Sequence, residues 1–363
     1  MVIRLYDRND TIMVQISQRQ QKILLLMLDR GVKTTSTIQA EIVRGGDIVS
    51  LVTIKREVKE MLKKGLLLPS GSGRSRSYEV STLAKIFINI PARTYCEQEP
   101  DKRFGSSHFN FDLFTSFPNN IFSEHELNIL NKATTEYYRR TKTLSLTIEK
   151  KELERLVIEL SWKSSRIEGN TYTLLDTEKL ILEHKEALGH DKKEARMILN
   201  HKDAFSYIHE NKSQFLTLSK RNLQDLHAII TKDLSVEKGF RKHPVGVVGS
   251  KYQPLDNVHQ IMDAIEKLSF FISSAQTPYV KALVALLGIS YIQPFEDGNK
   301  RTSRLMANAL LMAHNMAPLS YRSVNEQEYR DAILVFYEVN SIIPFKRIFI
   351  DQYDFAARNY AVK

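Results

Sequence analysis

Twelve residues, 293–304 (QPFEDGNKRTSR), gather side chains suited to holding a phosphate chain together with a divalent cation. Asp297 offers a hard carboxylate oxygen of the kind Mg²⁺ prefers. Gly298 permits a positive φ or a close approach of backbone to a ligand. The amides after it would open a helix, where unpaired N–H groups and the positive dipole end attract anions. Arg301 and Arg304, three positions apart, share one face of the first turn, so two planar guanidinium forks can grip neighbouring phosphates. The set suits a metal-bound triphosphate, but it lacks a base. Gln293 heads the stretch, and a carboxamide can orient a hydroxyl by hydrogen bonding yet takes up no proton near neutral pH.

Two strongly apolar segments must carry this polar loop. Residues 279–292 (YVKALVALLGISYI) hold a single charge and are apolar on nearly every helical face, as expected of a helix buried all round; residues 305–312 (LMANALLM) have the same character. Earlier in the chain, residues 152–162 show helical apolar spacing at Leu153, Leu156, Val157 and Leu160, with Gly169 and Asn170 as the stop. Glu168 falls in the last turn of that helix, where its charge meets the negative end of the dipole. A local cost of this kind points to a cationic partner elsewhere. Residues 123–138 open with Ser-x-x-Glu, a capping-box pattern, and read as a further helix.

The loop resembles the Fic family signature, HxFx(D/E)GN(G/K)RxxR, at every defined position except the first. Leu226, His227 and Ile230, the run Gly239, Phe240, Arg241, and residues 245–254 (VGVVGSKYQP) are similar to a core helix and the target-docking flap of that family. Residues 161–170 are similar to its inhibitory segment, (S/T)xxxE(G/N), through Ser164, Glu168 and Gly169. The resemblance runs from about Phe109 to the C-terminus. It implies a mainly α fold, a helical domain with a short β-hairpin flap around residues 245–251, whose Val245, Val247 and Val248 would pair with an extended target segment. It implies ATP and Mg²⁺ as ligands, with Gly298, Asn299, Lys300, Arg301 and Arg304 on the nucleotide and Asp297 on the metal. The implied reaction is AMP transfer to a Ser, Thr or Tyr hydroxyl of a target protein or of the chain itself.

The same resemblance makes Asp297, Arg301 and Arg304 the catalytic set and puts Gln293 where the family has a histidine base. Transfer would then be weakened or lost, since general-base help is worth about 10²- to 10⁴-fold. Glu168 would occupy the guanidinium of Arg304 and keep ATP out of the productive pose. Lys300, in the GNK form of the motif, also resembles the kinase-like Doc toxins, whereas Arg304 and the inhibitory segment favour AMP-transfer geometry.

Positive charge is concentrated at the start of the chain. The formal net charge is +10, and through Thr82 there are fourteen Lys and Arg against eight Asp and Glu, a balance suited to a polyanion partner. Helices are expected over residues 18–28, 37–43 and 50–64, followed by a hairpin with a basic tip. This order resembles a winged helix-turn-helix over residues 1–83. Thr53, Lys55, Arg56 and Lys59 of the third helix and Arg74 and Arg76 of the wing would meet duplex DNA. The rival functional reading is thus a DNA-binding regulator whose Fic domain senses nucleotide without transferring it. Residues 84–145 read as a connector, with a strand expected at 86–90, and helical arm; residues 146–363 read as the Fic domain.

Composition sets the remaining bounds. At 363 residues, 42% hydrophobic and 26% charged, the chain can bury two or three cores. The single Cys96 excludes an internal disulfide and a cysteine-built zinc site. No apolar run reaches the roughly 18 to 20 residues of a membrane span, and no apolar signal region opens the chain, so a cytoplasmic protein is expected, with a homodimer compatible.

Overall fold

The computed structural model describes residues 15–362. At the N-terminal end, α1 (Gln18–Arg30) starts at a capping box made by Ser17 and Gln20 and stops at Gly31 with φ +63°. It is followed by α2 (Thr35–Arg44) and α3 (Leu51–Lys63), the latter capped by Ser50, whose side chain accepts from the Thr53 amide. Strands β1 (Leu67–Ser70) and β2 (Ser77–Val80) then pair antiparallel, Leu67 opposite Val80 and Ser70 opposite Ser77. Ile23, Leu24, Ile38, Ile54, Val58, Met61 and Leu66 close a core between these elements. The helix order and the hairpin agree with the expectation.

The connector departs from it. Residues 86–90 form no strand; α4 (Thr82–Phe87) and α5 (Ala92–Cys96) occupy this stretch. Ser81 caps α4 by accepting from the Ala84 amide (3.1 Å), and no neighbouring strand among the described residues takes the backbone groups beyond it. Instead the Ile86 carbonyl accepts from the Ile342 amide (3.1 Å) and the Ile88 carbonyl from the Ser341 hydroxyl (2.5 Å). A short α6 (Leu113–Ser116) leads to α7 (Glu124–Lys142), which has the expected capping box at Ser123 and Glu126.

The large core is helical throughout. It is built from α8 (Leu146–Ile167), α9 (Leu174–Glu183), α10 (Lys192–Glu210), α11 (Lys220–Ile230), α12 (Val258–Ser274), α13 (Pro278–Ile292), α14 (Asn299–Ala313), α15 (Glu326–Val339) and α16 (Ile343–Asn359). Every residue of α13 from Tyr279 to Ile292 is buried, and α14 packs along it with Leu305, Met306, Leu310 and Leu311 inside. At about 1.5–3 kcal/mol for each large apolar side chain removed from water, this antiparallel pair is a rigid base for the loop that joins it. The N-terminal and main clusters meet at α15, whose Val335 and Val339 complete the N-terminal core.

One expected element is absent among the described residues. Residues 245–251 make no hairpin ladder; the only sheet there is β1 with β2. The segment is extended with a turn in which the Ser250 amide donates to the Val247 carbonyl (3.2 Å), and side chains from distant segments hold it in place.

Candidate functional site

The loop of residues 293–298 links the C-terminus of α13 to the N-terminus of α14. Its turn is set by two left-handed residues, Gln293 (φ +51°) and Gly298 (φ +77°). A Cβ on Gly298 would come within 3.3 Å of Thr231 and 3.6 Å of the Arg301 guanidinium, so glycine suits both the φ and the space. Asn299 ties the loop from within: the Phe295 amide donates to its Oδ1 (2.8 Å) and its Nδ2 donates to the Phe295 carbonyl (2.7 Å). His227 of α11 supports the loop from below, stacked on Phe295 at 3.6 Å and donating through Nε2 to the Asp297 carbonyl (3.0 Å). Burial pushes the His227 pKa down to about 4 against that hydrogen bond, so the ring is neutral at pH 7.

The two arginines are brought together as expected, in different states. Arg301 is buried, and its Nη2 reaches Asp297 (3.0 Å) while its Nη1 has no partner among the described residues. Burial pulls its pKa down, opposed by Asp297 and Glu168. Arg304 is fully buried and held mainly from α8: Nε donates to the Ser164 hydroxyl (2.8 Å), Nη2 to the Ser164 carbonyl (2.9 Å), and Glu168 Oε1 lies 2.8 Å from Nη2 as an ion pair, while Nη1 reaches only the Tyr329 hydroxyl of α15 (3.5 Å). The cationic partner called for by Glu168 at the end of α8 is therefore Arg304, with Lys300 as a second at 3.7 Å from Oε2. Burial alone would raise the Glu168 pKa, but Arg304 and then Lys300 outweigh it and hold the carboxyl below its usual range. Gly169 turns the chain away with φ +97°.

The remaining expected residues fall as follows. Asp297 is two-thirds exposed, free to offer an oxygen to an incoming ion while touching Arg301; no group of three or more His, Cys, Asp or Glu side chains forms a ready metal cage among the described residues. The Gln293 amide turns back to the end of α13, donating to the Ser290 carbonyl (2.5 Å) near the Tyr337 hydroxyl (3.4 Å). Val245 and Val247 are half-buried, and Val248 is fully open. Far from this loop, Lys55, Arg56 and Lys59 stand exposed on α3, Thr53 is bonded to Ser50, and Arg76 is exposed beside Tyr78. The Arg74 side chain lies outside the described residues.

A triphosphate with Mg²⁺ fits what is present. The unpartnered buried Arg301 Nη1 is a donor that calls for an anion or water. The helix begins at a glycine with no side-chain cap, leaving its first amides open. Two contributors lie outside the 293–304 motif, Arg241 in the run 239–241 that shares the resemblance, and His201 with no sequence signal. Arg241 pins the loop head, donating through Nε to the Gln293 carbonyl (2.6 Å), through Nη1 to the His243 carbonyl (2.8 Å) and through Nη2 to the Leu255 carbonyl. His201 of α10 is buried with both ring nitrogens unpartnered among the described residues, its pKa driven well down by burial and then by Arg304 and Arg301. No sequence signal marks it, because a histidine set between Asn200 and Lys202 on a helix of mixed polarity looks solvated.

Comparison with known proteins places this geometry. The Protein adenylyltransferase Fic of Culex quinquefasciatus is 33% identical over 197 residues, covering 52% of this chain and 39% of that protein. The Aedes aegypti protein of the same name is 30% identical over 199 residues with the same shares. The chain thus spans about two-fifths of the length of the curated relatives it matches. Among solved structures, a Fic family protein from Desulfovibrio desulfuricans G20 superposes with TM-score 0.55 at 20% identity, covering 67% of this chain and 75% of that one. Residues 134–508 of Fic-1 from C. elegans superpose with TM-score 0.55 at 16% identity, over 65% of this chain and 71% of that one, and these likenesses show the fold. Residues 217–311, from the end of the turn before α11 into α14, match the model of the Fic/DOC family, and this chain carries a Fic/DOC family domain there.

Proposed function

We propose that this chain binds Mg-ATP at the 293–304 loop and is a protein adenylyltransferase whose transfer step is weakened or lost because Gln293 stands where a base is needed. The observation that carries this is the pairing of Glu168 with Arg304 across α8 and α14, the arrangement of a nucleotide site held in check. In the reaction, a target hydroxyl oxygen forms a bond to the α-phosphorus, the bond from that phosphorus to the β-phosphate oxygen breaks, and pyrophosphate leaves. Mg²⁺, when bound through Asp297, would neutralise charge on the leaving phosphates. Arg301 and the first amides of α14 would orient the phosphate chain. The hydroxyl proton has no acceptor at residue 293, whose amide can only hydrogen-bond. The Glu168 contact favours AMP transfer over a Doc-like phosphate transfer, because Lys300 is drawn to the same carboxylate rather than left free to crowd the nucleotide.

The test is Gln293→His made in the Glu168→Gly background, where the Arg304 contact is released, and compared with Glu168→Gly alone using labelled ATP for target and self-modification. The histidine variant should raise transfer by at least about 10²-fold. A variant that binds nucleotide normally and stays inactive would overturn the proposal.

A second reading, duplex DNA binding by the N-terminal module, is favoured by one observation. The free face of α3 presents Lys55, Arg56 and Lys59 to solvent, none of them in an ion pair among the described residues, and Arg76 of the hairpin is exposed as well. In that reading the Fic/DOC domain reports nucleotide to a DNA-bound regulator.

A further inference from the structure

Glu338 lies in the last turn of α15, among Phe336, Tyr337 and Val339, with its side chain wholly buried. A carboxylate there faces the unfavourable end of the helix dipole and loses its water, which destabilises it unless it is paired and hydrogen-bonded. Three donors from two distant stretches meet it. Arg103 Nη1 stands 3.2 Å from Oε1, the Ser250 hydroxyl donates to the same oxygen (2.7 Å), and the Tyr95 hydroxyl donates to Oε2 (2.8 Å). Tyr95 and Arg103 belong to the connector that leaves the N-terminal core, and Ser250 belongs to the segment after Val248.

The same two stretches are laced together around this carboxylate. Arg103 Nη1 also donates to the Gly249 carbonyl (2.9 Å), the Gln253 amide donates to the Ser107 carbonyl (2.8 Å), and Lys251 Nζ donates to the Arg103 carbonyl. The Ser106 amide donates to the Glu338 carbonyl (2.7 Å), an approach so close that a Cβ on Gly105 would sit 2.4 Å from that oxygen. Residues 245–251 have no ladder of their own to rest on. At one end Arg241 fastens their stem to the Gln293 carbonyl, at the other Glu338 and Arg103 fasten Gly249 and Ser250, and the exposed Val248 is suspended between.

We infer that Glu338 is a positioning residue: through it the connector, residues 95–107, sets the placement of residues 247–253 beside the nucleotide loop. Its consequence for target docking rests on the reading of residues 245–251 as the docking segment. Because α5 packs on α15, and Val335 and Val339 complete the N-terminal core, a displacement of that core is transmitted to the same carboxylate.

The test uses the full chain with Ser250→Ala, Glu338→Gln and Tyr95→Phe. Tyr95 is the discriminating position, because its hydroxyl shares its single proton between Glu338 Oε2 (2.8 Å) and the Phe104 carbonyl (2.5 Å) and hydrogen-bonds to no atom of residues 247–253. Each variant should speed amide hydrogen exchange at 247–253 by at least about tenfold while exchange in α13 and α14 and the affinity for Mg-ATP stay unchanged. In the Glu168→Gly, Gln293→His background the same variants should raise KM for a protein target and leave kcat alone. Unchanged exchange at 247–253 in Tyr95→Phe, or faster exchange spread equally over α13 and α14, overturns the inference. Faster local exchange with an unmoved KM upholds the positioning role and refutes the docking reading instead.

Discussion

Replacing Glu168 by glycine should convert the proposed nucleotide site from a closed to an open state, and the size of the effect can be worked from the contacts of Arg304. Two unit charges about 4 Å apart interact by roughly 4 kcal/mol at an effective dielectric of about 20, and desolvation cancels much of that. A hydrogen bond to a charged group retains about 1.5–3 kcal/mol net. The terminal phosphate of ATP would have to displace Glu168, which lies 2.8 Å from Arg304 and 3.7 Å from Lys300. Removing that competitor should tighten Mg-ATP binding by about 10- to 100-fold, at 1.4 kcal/mol per decade. Arg304 would not be stranded, since the Ser164 hydroxyl and carbonyl still accept from it at 2.8 and 2.9 Å. The loss of stability should therefore be smaller than the roughly 3–5 kcal/mol of a buried charge stripped of its partner. The latch should also persist in mild acid: a carboxyl held below its ordinary range contributes above its unfolded pKa and lets go only as pH falls through the lowered folded value. Calorimetric titration of Mg-ATP into the parent, Glu168→Gly, Arg304→Met and the double variant supplies the cycle. If the two substitutions act additively, or Glu168→Gly leaves the affinity unchanged, Glu168 does not compete for Arg304 and the inhibitory reading fails.

Further outcomes are expected elsewhere in the molecule. Asp297→Ala should abolish the strengthening of ATP binding by Mg²⁺; titrations that keep the magnesium effect would move the ligand role to Glu296, whose carboxylate now accepts from the Glu237 amide at 3.4 Å. Stability should fall as pH drops from 6.5 to about 4, because the unfolded chain protonates His227 across that window while the folded chain does not. In urea denaturation at pH 7 and 4.5, His227→Gln should shrink that loss by up to about 3 kcal/mol, and an identical slope would mean that the ring is hydrated in the folded state. Duplex DNA should bind with affinity that falls steeply as salt rises, and neutralising Arg74 and Arg76 together should flatten the salt slope by about two units. No measurable duplex binding at about 50 mM salt would leave the N-terminal module as a protein-docking element.

What was legible in the sequence is what short-range chemistry decides. The all-round apolar 279–292 segment, the glycine at 298 and the Ser50 and Ser123 caps each specify a local structure within a turn or two, and each is found. Glu168 announced a cationic partner by its place at the end of a helix, yet only the resemblance could single out Arg304, and nothing in the spacing announced Lys300 as well. The hairpin expected at 245–251 came from the resemblance alone, whereas the segment is held by contacts from far away in sequence, Arg103 on the Gly249 carbonyl and Glu338 on the Ser250 hydroxyl, whose approach no local period encodes. Glu338 itself, a lone carboxylate in an apolar helical turn, was a readable signal of a buried partner without an address for it.

The head of the loop divides its contacts unequally between the backbone and the side chain of Gln293. Gln293 holds the turn with its backbone: its amide donates to the Ile289 carbonyl (3.1 Å), its carbonyl accepts from Arg241 (2.6 Å), and φ is +51°. None of these contacts depends on which side chain residue 293 carries, beyond the modest cost of a left-handed conformation for any residue other than glycine. The side chain, by contrast, contributes only a contact back to Ser290 and a long one to Tyr337. The turn thus rests on the backbone of Gln293 and scarcely on its side chain. On the proposed reading, phosphate binding through Gly298, Arg301 and the first turn of α14 would be insulated from the identity of residue 293, while the step that needs a proton acceptor would not. Gln293→His should accordingly change the rate of transfer with little change in nucleotide affinity or thermal stability, and a histidine variant that altered all three together would show that the two roles are not separable here.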